Sequence, residues 1–466
     1  MPDTIPMSGS ASPSAPADAV APIAGTQGVP PGGATRAPIA IVAHTHPSVT
    51  KGGAEIAAYA LYEGLRKQGE DAIFIAACPV QDRNKLLLAS DREFVVVTDP
   101  LRYDHFYQLS SGDVWRQLKT ILTSQNVRLV SFHHYLNLGV NALRALTAET
   151  GIPFVVTLHE FLTICNHHGQ MVTRPGRRLC AQATDVACAT CFPEHSRQQF
   201  KLRRELIKTA LLPAAGYVAP SRFLADRMVA WGLPREKFVV IENGLRALPP
   251  REDRLRTDGS LWNFAYFGQI TPFKGIDTLL DTIELLAKQP GIEKKIRIRV
   301  HGNLIGQEPE FIARFHKIFA THGFTHYAGS YDNADVHNLM SASDYILVPS
   351  TWWENSPVVI QEAYAAGRPV ICSGIGGMAE KVPNRRSGLH FRLNDAADLA
   401  RVMGEAADEV LYKALCSNIP TVDDQATMAR HYLAAFAQLL KQRDAATAPD
   451  APTTSPRRRA RQAARA

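Results

Sequence analysis

A chain of 466 residues with 45% hydrophobic and 20% charged side chains is too long for one ordinary core and too apolar for a disordered polymer, so two domains are expected. No apolar run approaches the roughly 20 residues that span a bilayer, which excludes a membrane-spanning helix. The formal charge is +7, but Arg457, Arg458, Arg459, Arg461 and Arg465 crowd the last ten residues; the body is nearly balanced and no nucleic-acid partner is expected.

Residues 1–38, rich in Pro, Ala, Gly and Ser, lack a basic start followed by an apolar stretch and read as a disordered leader, not a secretory signal. Seven cysteines in so long a chain, without such a signal, point to a reducing, cytoplasmic setting. From residue 39 the pattern is α/β. Short apolar runs at 39–44, 72–77, 128–134, 153–159 and 216–221 predict strands, and residues 52–69 and 136–151 have helical period between them. This alternation predicts a mostly parallel sheet covered by helices on both faces, over residues 39–245.

A polar, proline-bearing segment, 246–260, reads as a linker, and the alternation restarts over 261–422. Strands are predicted at 263–268, 296–302, 344–350 and 368–373, and helices at 274–289, 357–367 and 395–407. Residues 423–445 hold a further helix expected to pack back across the junction, and 446–466 form an Arg-rich tail expected to be disordered. The architecture expected is two Rossmann-like domains facing each other across a cleft. In such sheets ligands bind beyond the carboxyl ends of the strands, so the strand-to-helix turns carry the chemistry.

Three of those turns suit anions or polar ligands. In GQITPFKG, Gly268 ends a strand and Lys274-Gly275 opens a helix, where free N–H groups and the lysine favour a phosphate. In WWENSPVVIQEAYAAG, Ser356-Pro357 has the chemistry of a helix start, which puts Glu354 in the loop and Glu362 inside the helix. The two glutamates are then not an acid and base pair; one faces the cleft and the other can take hydroxyls from a ligand lying along the helix. In SGIGGMAEKV, Gly376 and Gly377 permit close backbone approach.

In this order and spacing GQITPFKG, ENSPVVIQE and GIGGMAE resemble the donor domain of the family-4 glycosyltransferases, retaining enzymes of the GT-B fold. Upstream, SVTKGGAEIAAYALYEGL, TLHE, VAPS and ENGL resemble the family's first domain, so the likeness runs over about residues 39–445. It implies a nucleotide-sugar donor. Lys274 would hold the diphosphate, Glu362 the ribose, and Glu354 with the backbone after Gly376 the donor sugar; Gly268, Gln269, Asn355, Ser356 and Gly377 belong to the same binding loops. Gly52 and Gly53 would approach the diphosphate from the first domain, and His159 would lie at the reaction centre, so that His159, Lys274 and Glu354 are the catalytic candidates. One departure stands out. The family usually has arginine where this chain has Gln269, which leaves the diphosphate to Lys274, helix dipoles, or a residue such as Lys51 or Arg222.

The resemblance implies transfer without a catalytic metal, to a glycan or lipid-linked acceptor, in bacterial cell-surface polysaccharide or glycoconjugate assembly. The alternatives are another GT-B activity such as nucleotide-sugar epimerisation, or a non-catalytic glycan- or nucleic-acid-binding protein. Cys165, Cys180, Cys188 and Cys191 fall within a 165–191 insertion after TLHE that is seen in a subset of the family. They suit a structural zinc site or an iron-sulfur site, or stand as unmetallated thiols, with His167 or His168 able to replace a cysteine. The segment that follows, HSRQQFKLRRELIKTALL, is a basic amphipathic helix, read either as a solvated face or as a contact for an anionic acceptor or the inner membrane surface through Arg203 and Arg204.

Overall fold

The computed structural model describes residues 37–50, 52–246, 261–304 and 306–447. Most of the leader, Lys51, all but Arg246 of the linker, and all but the start of the Arg-rich tail lie outside the described residues.

Two parallel sheets organise the chain. The first contains β1 (Ile39–Ala43), β2 (Ala72–Pro79), β3 (Glu93–Thr98), β4 (Leu129–Phe132), β5 (Phe154–Thr157), β6 (Gly216–Ala219) and β7 (Phe238–Val240), in the order β3-β2-β1-β4-β5-β6-β7. The second contains β8 (Trp262–Phe267), β9 (Ile296–His301), β10 (Thr325–Gly329), β11 (Tyr345–Val348), β12 (Val370–Ser373) and β13 (Gly388–Phe391), in the order β10-β9-β8-β11-β12-β13. Strands β1, β4, β5, β6, β11 and β12 are buried along their whole length, which is why their sequences are unbroken apolar runs rather than alternations. The expected two-domain α/β architecture is what is observed. Each sheet reverses its strand order once, between β1 and β4 and between β8 and β11, and these switch points are where a crevice opens.

Four strands go beyond the sequence reading: β3, β7, β10 and β13. Each lies at a sheet edge, where one side lacks a partner and the apolar signal thins. In β7 Val240 is exposed, and β10 alternates buried and exposed positions. The helix expected to start at 136 begins instead at Val140; Asn137 and Gly139, both at positive φ, hold the residues before it in a turn.

The helix Gln425–Thr447 lies on the first sheet's side, against the helix Gly53–Lys67. Its Met428, Tyr432, Phe436 and Leu439 share a core with Leu61, Leu65 and Phe74, and the Tyr432 hydroxyl sits 3.3 Å from Thr157 Oγ1. Each such buried side chain is worth about 1.5–3 kcal/mol, so the helix belongs to that core.

The basic segment forms the helix Arg197–Leu211, opened by a capping box between Ser196 and Gln199. Arg203, expected on its exposed face, is only 2% exposed. Its guanidinium donates to the carbonyls of Phe106 (2.8 Å), Leu162 (2.7 Å) and Thr163 (3.3 Å), and Arg204 pairs with Glu205. Arg203 therefore braces the turn after β5 instead of facing a membrane. Replacing Arg203 by Met orphans three carbonyls and is expected to cost about 3 kcal/mol, read as a lower urea midpoint at unchanged slope. Among the described residues no helix is long and apolar enough to cross a membrane.

Candidate functional site

The second sheet's switch point brings together two turns that are 80 residues apart in sequence. After β8 the chain passes Gly268 and a 3-10 turn, Pro272–Lys274, before the helix Ile276–Leu286. Gly275, at φ +75°, lets that turn lie directly on the carbonyl of Pro349 at the end of β11; a Cβ there would strike it. The result is that Lys274 Nζ reaches Glu354 Oε1 at 2.6 Å, and Ser350 Oγ (2.9 Å) and Trp352 Nε1 (2.8 Å) donate to the same oxygen. No donor among the described residues reaches Oε2. Burial alone would push the Glu354 carboxyl up, but the Lys274 charge and these three hydrogen bonds outweigh it and hold the group below the usual carboxylate range. Glu354 is thus a carboxylate anchored through one oxygen.

The loop carrying Glu354 is locked from the other side. Gly377 N–H donates to the Glu354 carbonyl at 2.8 Å, and a side chain at Gly377 would collide with the carbonyls of Glu354 and Asn355. Gly376 is at φ +56° against Trp353 and Phe223.

Glu362 behaves differently. It sits in the helix Val358–Ala365, and no hydrogen bond or ion pair among the described residues reaches its carboxyl. Burial pushes its pKa up to about 7. Neither glutamate appears among the groups that shift the other, so they do not act as a coupled pair. The expected serine cap is not formed: Ser356 Oγ bonds the Glu242 carboxylate, and the helix begins one residue after Pro357.

Across from this, the first sheet's switch point and the strand beside it present histidines. His44 follows β1, His133 and His134 follow β4, and His159 follows β5. His44 Nε2 lies 3.3 Å from Glu55 Oε1, which also accepts from Thr45 (3.0 Å) and Thr50 (2.6 Å). His134 Nε2 bonds Glu160 at 2.9 Å, and His133 Nδ1 lies 3.1 Å from His159 Nε2. Burial, with the neighbouring imidazoles of His133, His134 and His44, holds His159 well below the ordinary histidine range, so its ring is neutral near pH 7. A cavity of about 760 Å³ opens here, lined by Gly53, Glu55, His44, His159 and Glu160 from the first half and by Ser356 and Val358 from the second. Lys274, Glu354 and Glu362 do not line it; Asn355 links the two places, its Nδ2 donating to the His159 carbonyl at 3.1 Å.

Several contacts join the halves that the sequence reading did not single out. Glu242, from the ENGL segment, takes hydrogen bonds from Ser356 and from Gln361 Nε2 (2.7 Å) and pairs with Lys381. Glu380 accepts the N–H groups of Arg222 (2.9 Å) and Phe223 (2.8 Å). Arg222 lines a separate cavity with Glu380 and Arg386. Gln269 offers its carbonyl to the Tyr266 hydroxyl at 2.6 Å.

Cys165, Cys180, Cys188 and Cys191 are free thiols that sit close enough to oppose one another's ionisation. Burial pushes Cys165 to about 11 and Cys188 to about 12, so both are protonated. Among the described residues no group of three or more His, Cys, Asp or Glu side chains is placed to hold a metal ion, so the zinc expectation finds no ligand set there. The insertion is tied to the loop that carries Glu354, because Trp353 Nε1 donates to the Cys180 carbonyl at 3.2 Å.

Two parallel-sheet Rossmann-like domains in one chain have the architecture of the GT-B class, and comparison with solved structures agrees. An Anabaena protein, HepE, solved in complex with UDP and also with UDP-glucose, superposes with a TM-score of 0.61 for the UDP complex at 18% identity, over 86% of this chain and 99% of that one. The family model "Glycosyltransferase Family 4" matches residues 51–247, and "Glycosyl transferases group 1" matches residues 263–409; the chain belongs to this glycosyltransferase family. Among curated relatives, glycogen synthase of Mycobacterium tuberculosis is 24% identical over 80% of this chain and 86% of its own length. D-inositol 3-phosphate glycosyltransferase of Saccharomonospora viridis is 28% identical over 39% of this chain, and the match spans only 42% of that relative's length.

Proposed function

We propose that the protein transfers a sugar, with retention, from a nucleotide-sugar donor to a hydroxyl acceptor. The observation that carries this reading is the Lys274–Glu354 pair at the second switch point, 2.6 Å apart and joined through Asn355 to His159. A nucleoside diphosphate laid along that turn places its leaving charge against Lys274 and the N–H groups after Gly275, which is electrostatic stabilisation of the departing group without a metal. The open Oε2 of Glu354 takes a hydroxyl of the donor sugar. Glu362, in the helix alongside, takes the ribose hydroxyls. Neutral His159 hydrogen-bonds the sugar near the bond that breaks, and the acceptor hydroxyl attacks from the cavity side, on the face the diphosphate leaves. No protein nucleophile is assigned.

HepE's complexes with UDP and UDP-glucose support testing uridine donors first. The setting is the cytoplasm or the inner membrane face, in polysaccharide or glycoconjugate assembly. The cysteines enter as a thiol cluster bracing the wall beside His159; stoichiometric zinc in the purified protein would make it a structural metal site instead.

The deciding experiment incubates the protein with UDP-, GDP- and ADP-sugars, with and without a mixed glycoside acceptor pool. Acceptor-dependent release of one nucleoside diphosphate, with retained anomeric configuration in the product, is expected. Acceptor-independent conversion of the nucleotide sugar would favour an epimerase, and failure of every diphosphate to raise the melting temperature would remove the donor assignment. In the same assay Glu354→Ala is expected to lower kcat by about 10²-fold with little change in UDP affinity, whereas Glu362→Ala weakens UDP binding about tenfold.

A further inference from the structure

The far part of the 760 Å³ cavity is built by residues that neither the family motifs nor the transfer chemistry uses. Phe106, from the loop after β3, and His195, just past the cysteine insertion, line it as a stacked pair with ring centres 3.9 Å apart and planes 26° apart. Phe200 meets both rings edge-on from behind, at 5.2 and 6.0 Å. The Phe106 backbone is fixed by buried Arg203, so the pair is a braced aromatic wall. Phe192 continues that wall, and Glu194 and Glu160 reach the same cavity.

Charge narrows what fits. Glu55, Glu160 and Glu194 all line the cavity, and no lysine or arginine among the described residues does; Arg174, which pairs with Glu194, is not in the lining. A phosphate or carboxylate placed here would meet three carboxylates and no lysine or arginine, and the lining histidines His44 and His159, held below the ordinary histidine range by burial, add no charge near pH 7, so an anion is disfavoured. A neutral sugar ring meets no such penalty. Its C–H face packs on aromatic rings, and its hydroxyls donate to carboxylates.

We propose that this wall is an acceptor subsite for an uncharged sugar ring, packed against the Phe106–His195 pair and hydrogen-bonded by Glu160 and Glu194, and that it disfavours phosphorylated sugars. The proposal rests on the transfer reading only in calling the bound sugar an acceptor.

The test is ligand-observed NMR on the full chain with saturating UDP, using methyl glycosides of glucose, galactose, mannose and N-acetylglucosamine and their 6-phosphates. At least one neutral glycoside is expected to bind. Its 6-phosphate should bind at least tenfold more weakly, and Phe106→Ala should weaken the neutral glycoside at least tenfold while UDP affinity stays within twofold. His195→Leu, milder for folding, should weaken it at least threefold. The proposal falls if no glycoside binds, if a 6-phosphate binds as tightly as its neutral parent, or if both folded variants bind glycoside like the parent protein. Glycoside binding without any UDP binding would instead leave the subsite standing and remove the donor reading.

Discussion

Lys274→Ala is expected to lower kcat/KM for the nucleotide sugar by about 10²- to 10³-fold, the cost typical of losing one preorganised charge partner for a developing anion. Two features make the loss large. Gln269 provides no second cation in the turn, and the lysine's own partner is a carboxylate. In the variant the diphosphate therefore meets Glu354 without the charge that now neutralises it. Lys274→Arg keeps the charge but not the point geometry, and should recover part of the rate. Glu354 adds a pH signature. Its folded pKa is depressed, so it contributes stability above the ordinary carboxylate range that is lost as pH falls. Lys274→Ala should remove much of that acid-dependent fall, and because the lysine is 32% exposed the loss at pH 7 is about 1–2 kcal/mol. Steady-state kinetics with melting curves at several pH values check both parts; an unchanged kcat/KM would remove Lys274 from the chemistry.

Nucleoside binding is expected to strengthen as pH rises from about 6 to 8, and Glu362 is the reason. Burial raises its carboxyl from 4.5 to about 7, so at pH 6 it is mostly protonated and at pH 8 mostly ionised. Ribose hydroxyls donate best to the ionised form, so affinity should fall by up to about tenfold per unit below pH 7. The stability effect has the opposite sign. The folded state holds this proton more tightly than the unfolded state, so the contribution is full below 4.5 and is lost as pH climbs through 7, by about 3 kcal/mol in all. Glu362→Gln should flatten both curves and leave a weaker, pH-independent binder. Calorimetry of uridine beside UDP separates the carboxyl from the diphosphate's own titration. A flat uridine profile in the parent protein would contradict this.

Much of the fold was legible because its central strands are buried on both faces and read as unbroken apolar runs. The edge strands were not, since one side of each is unpaired and they are short, as in β7 with three residues, or partly exposed, as in β10. At the candidate site Lys274, Glu354 and Glu362 stand out locally, through a strand end, a glycine and a helix start. What the local pattern does not carry is that β8 and β11 are neighbours, and this alone sets Lys274 against Glu354. Ser356 looked like a cap because Ser-Pro has that chemistry, yet Glu242, 114 residues away, competes for its hydroxyl. Arg203 looked like surface charge because helical period cannot show that three carbonyls wait on the buried face.

The return of the chain through Asp423–Gln425 has a mechanical consequence. Leu245, near the end of the first half, and Asp424, just before the helix that packs on that half, pair in a parallel bridge, with Leu245 N–H on the Asp423 carbonyl at 2.9 Å and Gln425 N–H on the Leu245 carbonyl at 3.0 Å. A single tether would let one half swivel freely about the other. Besides this bridge, the Asn355 Nδ2 donation to the His159 carbonyl at 3.1 Å and the pairing of Glu242 with Lys381 fasten the halves at points far from it in sequence, so the junction is held at several places at once.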